Sequence, residues 1–304
     1  MSQVSGEASD VGDPGGTDAF VAHRNLLFTV AYEMLGSAAD AEDVLQETWL
    51  RWADVVVDEV REPRAYLVRI TTRLALNRIR SLARRRESYV GPWLPEPLLT
   101  APDVAEDVEL ADSVSTAMLL VLETLTPTER AVFVLRDVFA FPYEEIADAI
   151  DKTPAAVRQI AHRARSHVDA RRPREVVGSK EREQVIERFL AAVATGDLQS
   201  LMDVLAPDVV LISDGGGKRQ AALRPIHGAE KVLRWLAGVT ARTPGEHGAE
   251  LTTVNGAIGL RLLVDDELDT IVTLRIDGDR VTGLYLVRNP DKLARVDEEV
   301  PLSR

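Results

Sequence analysis

The sequence predicts two all-α units followed by an α+β domain built on a curved antiparallel sheet. Three observations carry that expectation. Apolar residues recur at helical spacing from Asp18 to Arg86 and again from Ser113 to Arg174. A proline-rich stretch at 87–112 parts these two runs, and strand-like runs begin only at Val209. At 304 residues and 45% apolar content there is room for two or three domains with real cores.

In the first unit, 18–88, Leu26, Leu27, Val30, Ala31 and Met34 mark one helix, which Gly36 and Ser37 break. Asp40 can cap a second helix, AEDVLQETWLRWA, with Leu45, Trp49 and Trp52 as core candidates. Pro63 opens a third, Arg64 to about Arg86, with Tyr66, Leu67, Ile70, Leu74, Leu76 and Ile79 on its apolar side. The linker, 89–112, holds Pro92, Pro95, Pro97 and Pro102, a density that prevents regular helix. Trp93, Leu94 and Leu98 are residues a solvated spacer would avoid.

The second unit, 113–174, reads as a helix over Ser115–Leu125, another from Thr126-Pro127-Thr128-Glu129 to Leu135, and then YEEIADAI, a break at DKT, and PAAVRQIAHRARSHVDA. Thr153 is the natural cap of the last helix and Pro154 its first turn. The third unit, 179–295, opens with a helix from Ser179 to Thr195 and a second short one. Strand-like runs follow at Val209–Ser213, Leu251–Val254, Ile258–Val264, Thr270–Ile276 and Val281–Val287, with a tight turn at Asp277-Gly278-Asp279. Residues 296–304 read as a tail, and no internal repeat is evident.

Charge is unevenly placed. The chain carries −13, yet residues 61–86 hold nine Lys/Arg against one acid, and residues 151–174 hold seven against two. Polyanion binding follows the local field rather than net charge, so DNA gripped at two points is the expectation. The second patch lies on a pair of short helices joined by three residues, a helix-turn-helix. Ile146, Ala147 and Ile150 would face Val157, Ile160 and Ala161, leaving Arg158, Gln159, His162 and Arg163 outward to read base edges and Arg165 to meet phosphates. In the first patch Arg69, Arg73, Arg78 and Arg80 form a backbone-binding surface, with Asn77 able to touch an unstacked base. Glu42, Asp43, Gln46 and Glu47 share one side of an acidic helix, which would repel DNA and so suits a protein partner.

Some chemistry is excluded. There is no cysteine, hence no disulfide, thiolate metal site or Cys nucleophile. No metal, cofactor or catalytic set is expected. No apolar run approaches a membrane span, and the first residues, MSQVSGEASDVGDPGG, lack a signal pattern. They read as a disordered tail over 1–17, and the chain as soluble and cytoplasmic. Asp214-Gly215-Gly216-Gly217-Lys218 lacks the spacing and the Ser/Thr of a phosphate-binding P-loop. Its glycines permit positive φ and close backbone approach, with a plain hairpin turn as the lesser reading. Pro290 should stop the last strand.

In this order, the segments LGSAADAEDVLQETWLRW, EPRAYLVRITTRLALNRIRSLARRR and PTERAVFVLRDVFAFPYEEIADAIDKTPAAVRQIAHRARSHV resemble the extracytoplasmic-function (ECF) sigma-70 initiation factors over residues 18–172. The resemblance implies that Glu42, Asp43, Gln46 and Glu47 dock on the clamp helices of the largest subunit of core RNA polymerase. It places Arg69, Arg73, Asn77, Arg78 and Arg80 at the −10 element of promoter DNA. Arg158, Gln159, His162, Arg163 and Arg165 fall at the −35 element. The remainder resembles a SnoaL-like, NTF2-type domain. The fusion is similar to a subgroup with three motifs: WLPEP (Trp93, Leu94, Pro95, Glu96, Pro97), DGGGK (Asp214–Lys218) and NPDKL (Asn289, Pro290, Asp291, Lys292, Leu293). That likeness implies regulation in cis, without a dedicated anti-sigma factor.

Two other readings compete. SnoaL-like folds include cyclases and isomerases, for which Asp214 and His227 are the nearest acid/base candidates, with Asp214 expected at a rim. The same cavity could instead hold an unknown small ligand. A stand-alone helix-turn-helix regulator is disfavoured by the second basic helix and the acidic docking helix.

Overall fold

A computed structural model describes residues 14–101, 107–171, 179–195, 197–296 and 299–303. The first three helices are α1 (Pro14–Leu35), α2 (Ala38–Ala53) and α3 (Pro63–Glu87). Ser37 caps α2 by accepting from the Asp40 amide at 3.2 Å, where the sequence suggested Asp40 itself. Helix α1 starts within the stretch read as a tail: Gly16 accepts the Trp52 indole N–H at 2.6 Å. The disorder expected for residues 1–13 lies outside the described residues.

Among the described residues the second unit has five helices: α4 (Val108–Val114), α5 (Thr116–Leu122), α6 (Pro127–Phe133), α7 (Tyr143–Ile150) and α8 (Pro154–Asp169). Thr126 and Glu129 make a reciprocal capping box on α6, whose end runs into a π-turn over Val134–Val138. Helices α7 and α8 are the expected helix-turn-helix. Asp151 ends α7 in the left-handed region (φ 53°), and the Thr153 hydroxyl accepts from the Ala156 amide at 3.2 Å. The two helical units do not have separate cores. Leu27, Tyr32, Leu35 and Leu67 of the first share one apolar cluster with Leu119, Leu122, Leu135 and Phe141 of the second.

The third unit has α9 (Ser179–Thr195), α10 (Leu198–Val204), β1 (Leu205–Asp214), β2 (Ile226–His227), α11 (Ala229–Thr240), β3 (His247–Val254), β4 (Ala257–Val264), β5 (Glu267–Asp277), β6 (Arg280–Val287) and α12 (Pro290–Leu293). The sheet runs β2-β1-β6-β5-β4-β3. Strands β3 to β6 form the expected antiparallel ladder, but β1 lies parallel to β6, so the sheet is mixed. The chain leaves β1 through β2 and α11 and re-enters at the far edge, a crossover no two-residue turn can make. Bulges in the β4–β5 and β5–β6 ladders bend the sheet. Its core, Val185, Phe189, Leu201, Val209, Leu211, Val232, Leu260, Val272 and Leu284, is distinct from the helical one.

A third, smaller cluster joins the units. Leu94, fully buried, packs with Val254, Ile271, Tyr285, Val287, Leu293 and Val296. The proline-rich stretch is therefore an extended strap clamped between domains. The predicted tail is also tied in. The Val300 amide donates to the Leu99 carbonyl at 2.9 Å, and Leu302 is buried in the helical core. No described helix is long and apolar enough to cross a membrane.

Candidate functional site

On α8, Arg158, Gln159, His162 and Arg163 are exposed along one stripe, because Val157, Ile160, Ala161 and Ala164 take the opposite face into the core. Arg158 sits 3.2 Å from Glu144 and over the Tyr143 ring, while Arg163 lies 3.6 Å from Glu129. Arg165 is turned aside onto Asp137. These are surface pairs of modest strength.

The predicted −10 set divides. Asn77 and Arg80 are exposed and joined by a 3.1 Å hydrogen bond, and Arg69 lies over the Tyr66 ring. Arg78 is held by Asp40 and Asp43 at 2.6 and 2.7 Å. Arg73 points into the helix-turn-helix: its guanidinium donates to the carbonyls of Asp148 and Ala149 at 2.8 and 3.2 Å and pairs with Asp151. A cation at the C-terminal end of α7 is favoured by the helix dipole. Arg64 stacks on Phe141 across the same seam.

On α2 the predicted docking residues also differ in availability. Glu42 is bidentate with Arg24 at 2.8 and 2.9 Å, Asp43 pairs with Arg78, and Glu47 pairs with Arg51 one turn on. Gln46 is exposed, and beside it Leu50 is 65% exposed. Asp43, Gln46, Glu47 and Leu50 thus form a mixed acidic and apolar stripe.

WLPEP, DGGGK and NPDKL, far apart in sequence, converge on Asp214. This carboxylate is fully buried, not at a rim as expected. One oxygen accepts from the Tyr89 hydroxyl at 2.6 Å and the Gly216 amide at 3.0 Å. The other accepts from the Leu94 amide at 2.9 Å and Lys292 Nζ at 2.7 Å. With both oxygens occupied, Asp214 is a structural knot rather than a free base, and His227 is exposed on β2. Lys292 also donates to the Leu94 carbonyl and sits over the Trp93 ring, which Arg86 covers as well. Burial pulls the Lys292 ammonium below its ordinary range, opposed by Asp214. Gly216 (φ 58°) lets the loop lie against Asn289, where any Cβ would fall 2.4 Å from the amide nitrogen. Lys218 meets Asp291 at 2.6 Å on the surface. Glu96 accepts from the Ala39 amide at 3.0 Å at the start of α2, so the strap caps the helix that carries the acidic stripe. Pro95 and Pro97 are buried on either side of it.

Residues 19–85 match the family model for Sigma-70 region 2, and residues 115–168 that for Sigma-70, region 4. The ECF RNA polymerase sigma factor SigJ of Mycobacterium tuberculosis is 40% identical over 289 residues, covering 90% of this chain and 91% of SigJ. The chain is an ECF sigma factor. The probable ECF sigma factor SigI of the same organism is 31% identical over 281 residues, covering 90% of this chain and 93% of SigI. The crystal structure of SigJ superposes with a TM-score of 0.74 at 35% identity, covering 91% of this chain and 98% of that one.

Part of this sigma factor's interdomain contact escaped sequence reasoning. The β3–β4 turn, Asn255-Gly256, inserts between the helical units. Asn255 Nδ2 donates to the Tyr32 hydroxyl at 2.6 Å and the Val114 carbonyl at 3.0 Å, and its Oδ1 accepts from the Leu98 amide at 3.1 Å. Tyr32 in turn donates to the Glu96 carbonyl at 2.6 Å. The Asn-Gly pair was a legible hairpin signal, with φ of 53° and 69°. Nothing in the sequence says that such a turn also serves as a plug.

Proposed function

We propose that this ECF sigma factor binds core RNA polymerase through α2, with Glu42, Asp43, Gln46 and Glu47, and carries it to promoter DNA in the cytoplasm. Helix α8 reads the −35 element through Arg158, Gln159, His162 and Arg163, with Arg165 on phosphate. Helix α3 serves the −10 element, with Asn77 and Arg80 available at once and Arg69, Arg73 and Arg78 after rearrangement. The third domain regulates these activities in cis, and no separate anti-sigma protein is needed.

One observation carries the regulatory part: Arg73 of α3 touches the turn of the helix-turn-helix. The two elements lie about 25 base pairs apart, roughly 85 Å of duplex at about 3.4 Å per pair. Two readers in contact cannot span that distance, so the closed arrangement must open to recognise a promoter. The core shared by the two helical units, the strap, the Asp214 knot and the Asn255 plug are the contacts that hold it closed.

The test is transcription by core polymerase from a cognate promoter. Arg158→Ala should lose −35-dependent transcript while still binding core. Lys292→Met should raise transcript yield by loosening the knot. Retained promoter selectivity in the first variant, or unchanged yield in the second, would count against the respective halves of the proposal.

A further inference from the structure

A third basic segment lies outside both DNA-reading units. Residues 215–242 hold six Lys/Arg, namely Lys218, Arg219, Arg224, Lys231, Arg234 and Arg242, against one acid, Glu230, in a chain of net −13. Lys231, Arg234, Gly238 and Arg242 are spaced at three, four and four residues, so they fall on one stripe along α11 and its C-terminal end. They line a groove of about 320 Å³ together with Trp235 and Val239. The three cations are exposed, and none makes an ion pair among the described residues. Arg73, Arg78, Arg158 and Arg163, by contrast, are each paired. Unpaired cations of one sign beside a low-dielectric wall raise a local positive potential that attracts polyanions.

Gly238 is a second and independent sign. It sits in the last turn of α11, where glycine is still a weaker helix former than alanine. Packing does not require it, because a Cβ there would meet nothing within 4 Å. The position therefore keeps the groove open and the helix backbone approachable. Trp235, half-buried beside it, presents an aromatic surface to the same space.

We propose that this groove is a third nucleic-acid contact, at which the third domain takes the phosphate backbone of promoter DNA while Trp235 packs on a sugar or base. The occupant is DNA because the groove presents three exposed cations with no ion pair among the described residues, and because the sigma reading, on which this inference rests, already brings a polyanion to the molecule. Sequence preference is not expected from it, since backbone contacts position without specifying.

The test is promoter binding by the assembled holoenzyme as a function of salt. Compared are native protein, the triple variant Lys231→Gln/Arg234→Gln/Arg242→Gln, and Gly238→Met. Loss of three phosphate contacts should lower the slope of log K against log salt by about 2–3 and weaken binding roughly tenfold or more at low salt. Gly238→Met should weaken binding several-fold yet raise the unfolding temperature, a pair of effects that a purely structural role does not produce. Unchanged affinity and slope, with transcription intact, would overturn the inference and leave the sigma assignment standing. Weaker core binding with an unchanged DNA slope would give the groove to an acidic protein surface instead. Failure of the native protein to form any promoter complex with core would remove the sigma reading and this inference with it.

Discussion

Ser113 has one hydroxyl proton and two acceptors within reach, Glu33 Oε1 at 2.8 Å and the Leu110 carbonyl at 2.9 Å. Both contacts are satisfied if Glu33 carries a proton and donates to Ser113, which then donates to Leu110. Glu33 is fully buried, its other oxygen has no hydrogen-bond partner among the described residues, and burial pushes its carboxyl up to about 8 against the pull of Ser113 and Arg130. The folded state thus holds a proton that the unfolded chain, near 4.5, has released. The sign follows: this group's contribution is most favourable below pH 4.5 and is lost as pH rises toward 8. The slope is at most about 1.4 kcal/mol per pH unit. Glu33→Gln keeps the shape and can still donate to Ser113. Its urea-unfolding free energy should exceed that of the native protein at about pH 8, with the difference shrinking toward pH 5. An equal difference at both pH values would show that Glu33 does not titrate in this window.

At the scale of elements, α2 combines its roles with little redundancy. Its inner face is core, its N-terminus is capped by Ser37 and by Glu96 of the strap, and its outer face carries Gln46, Glu47 and the exposed Leu50. An exposed Leu amid charge contributes little to folding but stabilises a complex when a partner buries it. Leu50→Glu should weaken core-polymerase binding by roughly 1–3 kcal/mol, read by titration with core, while the unfolding temperature stays within a degree or two. Unchanged binding would move the docking surface off this stripe. Periodicity and capping signals made the helices, the helix-turn-helix and the strand runs of the ladder legible, because those are local properties of the chain. The parallel seating of β1 beside β6 was not legible, since it depends on where a crossover returns. Buried Asp214 was misplaced at a rim for the same reason. A Gly-rich turn reads as exposed until Tyr89, Leu94 and Lys292, distant in sequence, close over it. Arg73 and Asn77 look alike as DNA-contacting candidates, and only the fold turns one into a bolt and leaves the other free.

For the whole molecule, the closed arrangement rests on contacts of very different strength. Leu94 and its apolar neighbours, with the buried Asp214–Lys292 pair, are expensive to separate; removing one partner of such a pair typically costs about 3–5 kcal/mol. The Arg73–Asp151 pair, at 44% and 80% side-chain exposure, is weak and salt-sensitive. The Arg73 seam is therefore the weakest of these contacts, and most of the cost of opening lies in the apolar core that the two helical units share and in the strap. Under the proposed function, core polymerase on α2 and DNA on Arg73 would each favour the open state, and each would shift the population only by its preference for that state. Because the chain has no native cysteine, Val21→Cys on α1 and Ser166→Cys on α8, both at exposed positions, accept a donor and acceptor dye selectively. Energy transfer should be high in the free protein, fall on adding core, and fall further on promoter DNA as the readers separate toward roughly 85 Å. Transfer that stays high in a complex shown to transcribe would mean that the closed contact persists during initiation, and that Arg73 does not restrain promoter recognition.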